Sequence, residues 1–209
     1  MTRTLGMFPL STVLFPHAGL PLHVFEARYR ALMADCLDRG ADFGVVLIAR
    51  GSEVGGGDQR FEVGTAARIS QLACLEDGRM MIRAHGTERV RVRRWLTEVP
   101  YPLAEVEGVP SDRGTDGSPA VTRGAEAVRR LRWVLSELGD IPALPFDLDL
   151  AGTDEDTGWR LCELAPLNLI DRQRLLSSGG LAARMQLLVE LCDAMAADVV
   201  GMLAGGPGG

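Results

Sequence analysis

A chain of 209 residues with 46% hydrophobic and 24% charged residues holds enough apolar material for one sizeable core or two small lobes, which excludes global disorder. All 22 basic residues are arginine, so lysine Schiff bases, P-loop lysines and Ser-Lys dyads are excluded. The formal net charge of −6 arises in residues 111–209, where 15 acidic residues face 9 arginines, and makes broad phosphate-backbone binding a poor expectation.

From the N-terminus, short apolar runs broken by Gly, Pro and Asp predict strands over residues 6–15, 20–24, 43–48, 65–75, 79–85, 88–96 and 103–109. One helix interrupts them over residues 25–39, where Phe25, Tyr29, Leu32, Met33, Cys36 and Leu37 recur at helical spacing and Gly40 supplies a stop. Glu76-Asp77-Gly78 predicts the turn of a hairpin. Residues 110–119, rich in Pro, Gly, Ser and Asp without an apolar anchor, predict a flexible linker. Beyond it the periodicity is helical. Val121, Ala125, Val128, Leu131, Leu135 and Leu138 form one stripe; Leu181, Met185, Leu188, Cys192, Met195, Val199 and Met202 form another about six turns long. Two short helices lie between them, one opening on Asp154, Glu155 and Asp156 and stopped by Pro166, the other over residues 169–177. The fold class expected is therefore α+β: a β lobe with one helix over residues 1–109, then about four bundled helices over residues 120–204 and a frayed tail over 205–209.

Cys36, Cys74, Cys162 and Cys192 lie far apart, suggesting small apolar residues in a reducing cytoplasm and neither zinc ribbon nor disulfide framework. Pro9, Pro16 and Pro21 break the early apolar stretch before a signal-peptide core can form, and Arg184, Glu190, Asp193 and Asp198 make residues 181–204 a poor membrane span. A cytoplasmic protein without membrane association is expected.

The stretch VLFPHAGLPLHVFEARYRALMADCL, residues 13–37, resembles the opening of the Lon protease N-terminal, substrate-binding domain family, whose usual form runs near V-L-F-P-G-x-x-L-P-L-x-I-F-E-P-R-Y-R. The matching positions are Phe15, Pro16, Leu20, Pro21, Leu22, Phe25, Glu26, Arg28, Tyr29 and Arg30. Val63-Gly64-Thr65, Asp77-Gly78-Arg79, Gly86-x-x-Arg89 and residues 159–191 extend the similarity over nearly the whole chain. His17 and Ala27 depart from the pattern, standing where the family often has Gly and Pro. The resemblance implies a PUA-like pseudo-barrel followed by a helical bundle that recognises protein substrates, while separate AAA+ and Ser-Lys peptidase modules do the mechanical and chemical work in full-length Lon. Here no GxxxxGK[ST] occurs, no lysine is present, and 209 residues leave room for neither module, so a non-catalytic role without cofactor is expected.

Individual residues refine that expectation. His17, His23 and His85 lack the i, i+4 spacing or carboxylate neighbours of a metal site and are read as structural or solvated. Glu26, Arg28 and Arg30 at a helix start would fix that helix on the sheet, and the glycines at 55–57 suggest a loop, since no amphipathic helix follows to make a phosphate cradle. In a hairpin spanning residues 79–95, strict alternation would put Met80, Ile82, Ala84, Val90 and Val92 on one face. The other face would carry Met81, Arg83, His85, Arg89, Arg91, Arg93 and Trp95. Set against a plain solvated arginine stripe, the sharper reading makes Met81, Arg89, Arg91, Arg93 and Trp95 a peptide-binding platform, joined by Tyr101 and Trp159 if these are exposed where the lobes meet. Trp133 and Trp159 read first as core. The expected partners are unfolded or extended polypeptide segments, in an adaptor or regulatory role near a protease system. RNA binding through the arginines and a cryptic hydrolase are the alternatives. The last helix is the expected contact if the chain forms homodimers.

Overall fold

Period-two burial organises the first half of the chain into strands β1 (Thr2–Leu10), β2 (Gly19–Val24), β3 (Phe43–Arg50), β4 (Gln59–Arg60), β5 (Val63–Cys74), β6 (Met80–Trp95) and β7 (Leu103–Gly108). The computed structural model describes residues 1–50, 59–110, 117–139, 141–144 and 152–204. The expectations for the glycines at 55–57, the linker core at 111–116 and the tail at 205–209 lie outside the described residues. Two compact units, Met1–Pro110 and Ser111–Gly209, make up the chain.

In the first unit, antiparallel neighbours run β1-β7-β6-β5-β3, and a parallel β1–β3 pairing closes the ring. Inside it, Leu5, Met7, Val46, Ala66, Val90, Val92, Ala104 and Val106 form one core, drawn from all five strands. The opposite face of the sheet builds a second core from Phe8, Phe43, Val45, Ile82 and Ala84, covered by Tyr29, Leu32, Met33 and Cys36 of helix α1 (Ala27–Arg39). That helix ends at Gly40, whose φ of 59° closes the last turn at no steric cost.

The expected hairpin over residues 79–95 is corrected on two counts. The hairpin joins β5 to β6 at residues 76–78, and β6 itself runs unbroken for 16 residues. It does not turn at Gly86 because that residue extends the ladder, donating to the Ala18 carbonyl and accepting from the His17 amide at 2.9 Å each. Opposite it, Thr65 pairs with Arg89 and Ala67 with Gly86, so β6 carries one extra residue there. This bulge swaps the faces: Ile82 and Ala84 enter the outer core, Val90 and Val92 the inner one. Further register shifts and the short β4 also escaped the periodicity.

The second unit contains α2 (Ser118–Glu137), α3 (Asp154–Leu164), α4 (Leu169–Ser177) and α5 (Leu181–Ala204). Ser118 and Pro119, expected in the linker, open α2, Pro standing where a helix needs no N–H. A capping box links Thr153 and Asp156 at the start of α3, and Asn168 caps α4 by accepting from the Asp171 amide. Val128, Leu131, Trp159, Leu161, Met185, Leu188 and Cys192 form the buried interior. Arg184 is also fully buried, its guanidinium 3.5 Å from the Trp159 ring centroid and 2.8 Å from Glu155. Trp133, expected in the core, instead faces outward and is 59% exposed. Among the described residues no helix is long and apolar enough to cross a membrane.

Candidate functional site

The FEARYR segment, residues 25–30, builds one corner of the first unit by dividing its side chains between inside and outside. Glu26 is the N-cap residue but turns its carboxylate to Arg28, whose Nε lies 3.0 Å away, and the Arg28 guanidinium sits 4.5 Å above the Tyr29 ring. Tyr29 is buried against Phe8, with ring centroids 4.1 Å apart. Arg30 donates through Nη1 to the Gly78 carbonyl at 3.0 Å, tying α1 to the tip of the β5–β6 hairpin. Phe25, expected in the helical stripe, precedes the helix and points outward, 55% exposed, with its ring 6.1 Å from that of His23.

Strand register carries this surface across the sheet. His23 of β2 pairs with Met81 of β6, which pairs with Ala73 of β5; one row along, Pro21 pairs with Arg83 and Arg83 with Gln71. All six are exposed, while their neighbours Leu22, Val24 and Ile82 are buried. Phe25, His23 and Met81 thus form a contiguous apolar and aromatic patch on a rigid three-strand platform. Beside it lies a cavity of about 260 Å³, lined by Phe8, Leu10 and Thr12 on one side and by consecutive residues Leu20–Glu26 on the other. Consecutive residues can line one wall only if the cavity follows a strand edge, and β2 pairs with β6 alone among the described strands. Pro21 fits this placement, since edge strands tolerate a residue without an N–H.

The other residues expected to form the platform lie elsewhere. Arg89 is buried, its Nη2 donating to the Pro110 carbonyl at 3.2 Å. Arg93 is paired with Glu107, Arg94 with Glu105 at 2.7 Å, and Arg91 lies 3.9 Å from Glu62. Each of the first two arginines holds its partner carboxyl below the usual range through the side-chain hydrogen bond and the charge. Trp95 is half-buried beneath the Arg60 guanidinium, 4.3 Å from its ring centroid. Tyr101 is buried, donating from its hydroxyl to Asp35 at 2.5 Å; burial first, and that bond second, push its pKa up to about 12. Trp159 is buried in the helical unit, so neither it nor Tyr101 offers an anchor. Of the expected set, Met81 alone joins the patch, because the bulge at residues 87 and 88 sends the rest of β6 to a different face. His23, Phe25 and Arg83 were not assigned to peptide binding, although the exposed alternation of β2 and Phe25's place just ahead of the N-cap could have flagged them.

The histidines do not converge. His85 pairs with Gly19 and His23 with Met81, four residues apart along the ladder, or about 13 Å. His17 sits in a turn with φ of 65°, which explains why glycine suits that position. Among the described residues no group of three or more His, Cys, Asp or Glu is placed to hold a metal ion.

Comparison with known proteins agrees with this architecture. The family described as the ATP-dependent protease La (LON) substrate-binding domain matches residues 4–194. Lon protease 2 of Myxococcus xanthus is 28% identical over 197 residues, covering 91% of this chain and 24% of the relative. Lon protease 2 of Syntrophobacter fumaroxidans is 32% identical over 184 residues, covering 84% and 22%. The chain thus spans about a quarter of the length of these relatives, and the matches do not extend to protease or ATPase domains. A crystal structure of a Lon N-terminal domain protein from Xanthomonas campestris superposes with a TM-score of 0.66 at 31% identity, covering 90% of this chain and 98% of that one. The N-terminal domain of Mycobacterium avium complex Lon protease shares the fold, with a TM-score of 0.65 at 15% identity, covering 91% and 98%. With the family match running from residue 4 to residue 194, across both folded units, the chain belongs to the Lon substrate-binding domain family.

Proposed function

We propose that this protein binds exposed, extended apolar segments of other polypeptides at the Phe25–His23–Met81 patch and along the free edge of β2, as an adaptor or regulator in proteolysis or quality control. The observation that carries the reading is the outward placement of Phe25 and Met81, 55% and 47% exposed, beside a cavity that follows the edge of β2 on which no described strand pairs. Large apolar side chains grouped on a rigid surface gain free energy when a partner covers them, and an open strand edge offers main-chain groups to an extended chain. The ion-paired arginines of β6 lend little to phosphate binding, which weighs against the RNA alternative.

The test is fluorescence anisotropy with a labelled, permanently unfolded protein, comparing the wild type with a Phe25→Ser/Met81→Ser double variant and a Trp133→Ser control. Micromolar binding that weakens at least tenfold in the double variant and is unchanged in the control is expected. That factor corresponds to about 1.4 kcal/mol, within reach of two lost apolar contacts. Equal binding by a correctly folded double variant would place the site elsewhere.

A further inference from the structure

Charge on the sheet singles out one arginine beside the patch. Arg68, Arg93 and Arg94 each meet a carboxylate from a neighbouring element, Asp42, Glu107 and Glu105 respectively. Arg83 is exposed on the platform, flanked across the ladder by uncharged Pro21 and Gln71, and among the described residues no carboxylate lies within ion-pair distance of it. Its backbone carbonyl accepts from the Ser70 hydroxyl at 3.0 Å, and among the described residues its guanidinium makes no hydrogen bond, so it is unspent. Glu26, the acidic residue lining the neighbouring groove, is engaged by Arg28.

We infer that the segments taken by this surface carry a carboxylate beside their apolar anchor, and that Arg83 receives it. This deepens the peptide-binding reading and rests on it. Met81 and Arg83 are two residues apart on one strand and share a face, so their side chains leave the sheet about 7 Å apart. Alternate side chains of an extended client have the same spacing, which matches an apolar residue over Phe25 and Met81 to an Asp or Glu two positions away over Arg83. The guanidinium can bind a carboxylate through two parallel N–H donors, and it needs no partner torn away first.

The experiment uses three labelled peptides that share one extended apolar core and differ only at the position two residues from its anchor, where they carry Glu, Gln or Lys. On the wild-type chain the Glu peptide should bind roughly threefold tighter than the Gln peptide, as an exposed ion pair allows, with the Lys peptide weakest and the differences shrinking as salt rises. Arg83→Gln should remove the Glu preference while leaving the Gln peptide's affinity in place, and Arg83→Glu should make the Lys peptide the tightest. Equal binding of Glu and Gln peptides to the wild type, or a Glu preference that survives Arg83→Gln, would overturn the assignment of Arg83 while leaving apolar capture standing. Failure of all three peptides to bind would overturn both.

Discussion

Gly86 shows what one side chain decides. A Cβ built there would stand 2.3 Å from the Phe15 carbonyl oxygen and 3.0 Å from the Thr65 side chain, and backbone cannot yield as a flexible side chain can. The position lets the 13–18 turn lie directly on β6, where His17 and Ala18 bond to Gly86 itself. Gly86→Ala should therefore cost about 2 kcal/mol or more, as overpacking does, read as a lower urea midpoint. An unchanged midpoint would show that the turn slides away freely. His17 illustrates the opposite: it holds a left-handed backbone despite its Cβ, so one departure from the family pattern is absorbed as local strain. At the patch, Phe25, His23 and Met81 matter by position, since the apolar residues one place along, Leu22, Val24 and Ile82, are buried.

Among elements, α1 and the β5–β6 hairpin act as one mount for that patch. Arg30 bridges them through the Gly78 carbonyl, so Phe25 just ahead of α1 and Met81 on β6 keep a fixed relation. In the helical unit the bridge between α3 and α5 is charged instead: Arg184 is fully buried between Trp159 and Glu155, whose own side chain is 24% exposed. Removing one partner of a buried pair leaves the other uncompensated, whereas an apolar replacement of both can be nearly neutral. Arg184→Ala should accordingly lower stability by about 3 kcal/mol, and an Arg184→Met/Glu155→Gln double variant should recover much of that loss in the same denaturant titration. A double variant no more stable than the single would show that packing around Trp159, and not the pairing, dominates.

Across the molecule, the buried thiols argue for a loss of stability at alkaline pH. Burial pushes the thiol of Cys36 up to about 11 and those of Cys162 and Cys192 to about 12, from an ordinary 9.0, while Cys74 is exposed. Folded pKa values above the unfolded ones mean that the unfolded chain loses its protons first, so this contribution is intact below pH 9 and is lost as pH rises from 9 towards 12. Tyr101 adds to the loss with the same sign, and with no lysine in the chain no side-chain ammonium titrates in that window. The urea midpoint should fall between pH 8 and pH 10.5, and a thiol reagent at pH 8 should modify Cys74 quickly but the other three only on unfolding. A flat midpoint, or four equally reactive thiols, would contradict the burial.

The sequence by itself determined what depends on neighbours along the chain. Periodicity placed α1, α4 and most strands because burial of one face repeats every 3.6 or 2 residues, and the FEARYR segment carried the family resemblance as one short run, within which Arg28 pairs with Glu26 and stacks on Tyr29. Only the tertiary structure decided which faces look outward. One extra residue in β6 reverses alternation, and whether a residue is an extra cannot be read without its partner strand. Tertiary packing likewise buries Arg89 and Tyr101 and leaves Trp133 exposed, and of the residues expected on the platform only Met81 stands beside Phe25 and His23, whereas Trp159 lies in the core where its helical spacing first put it.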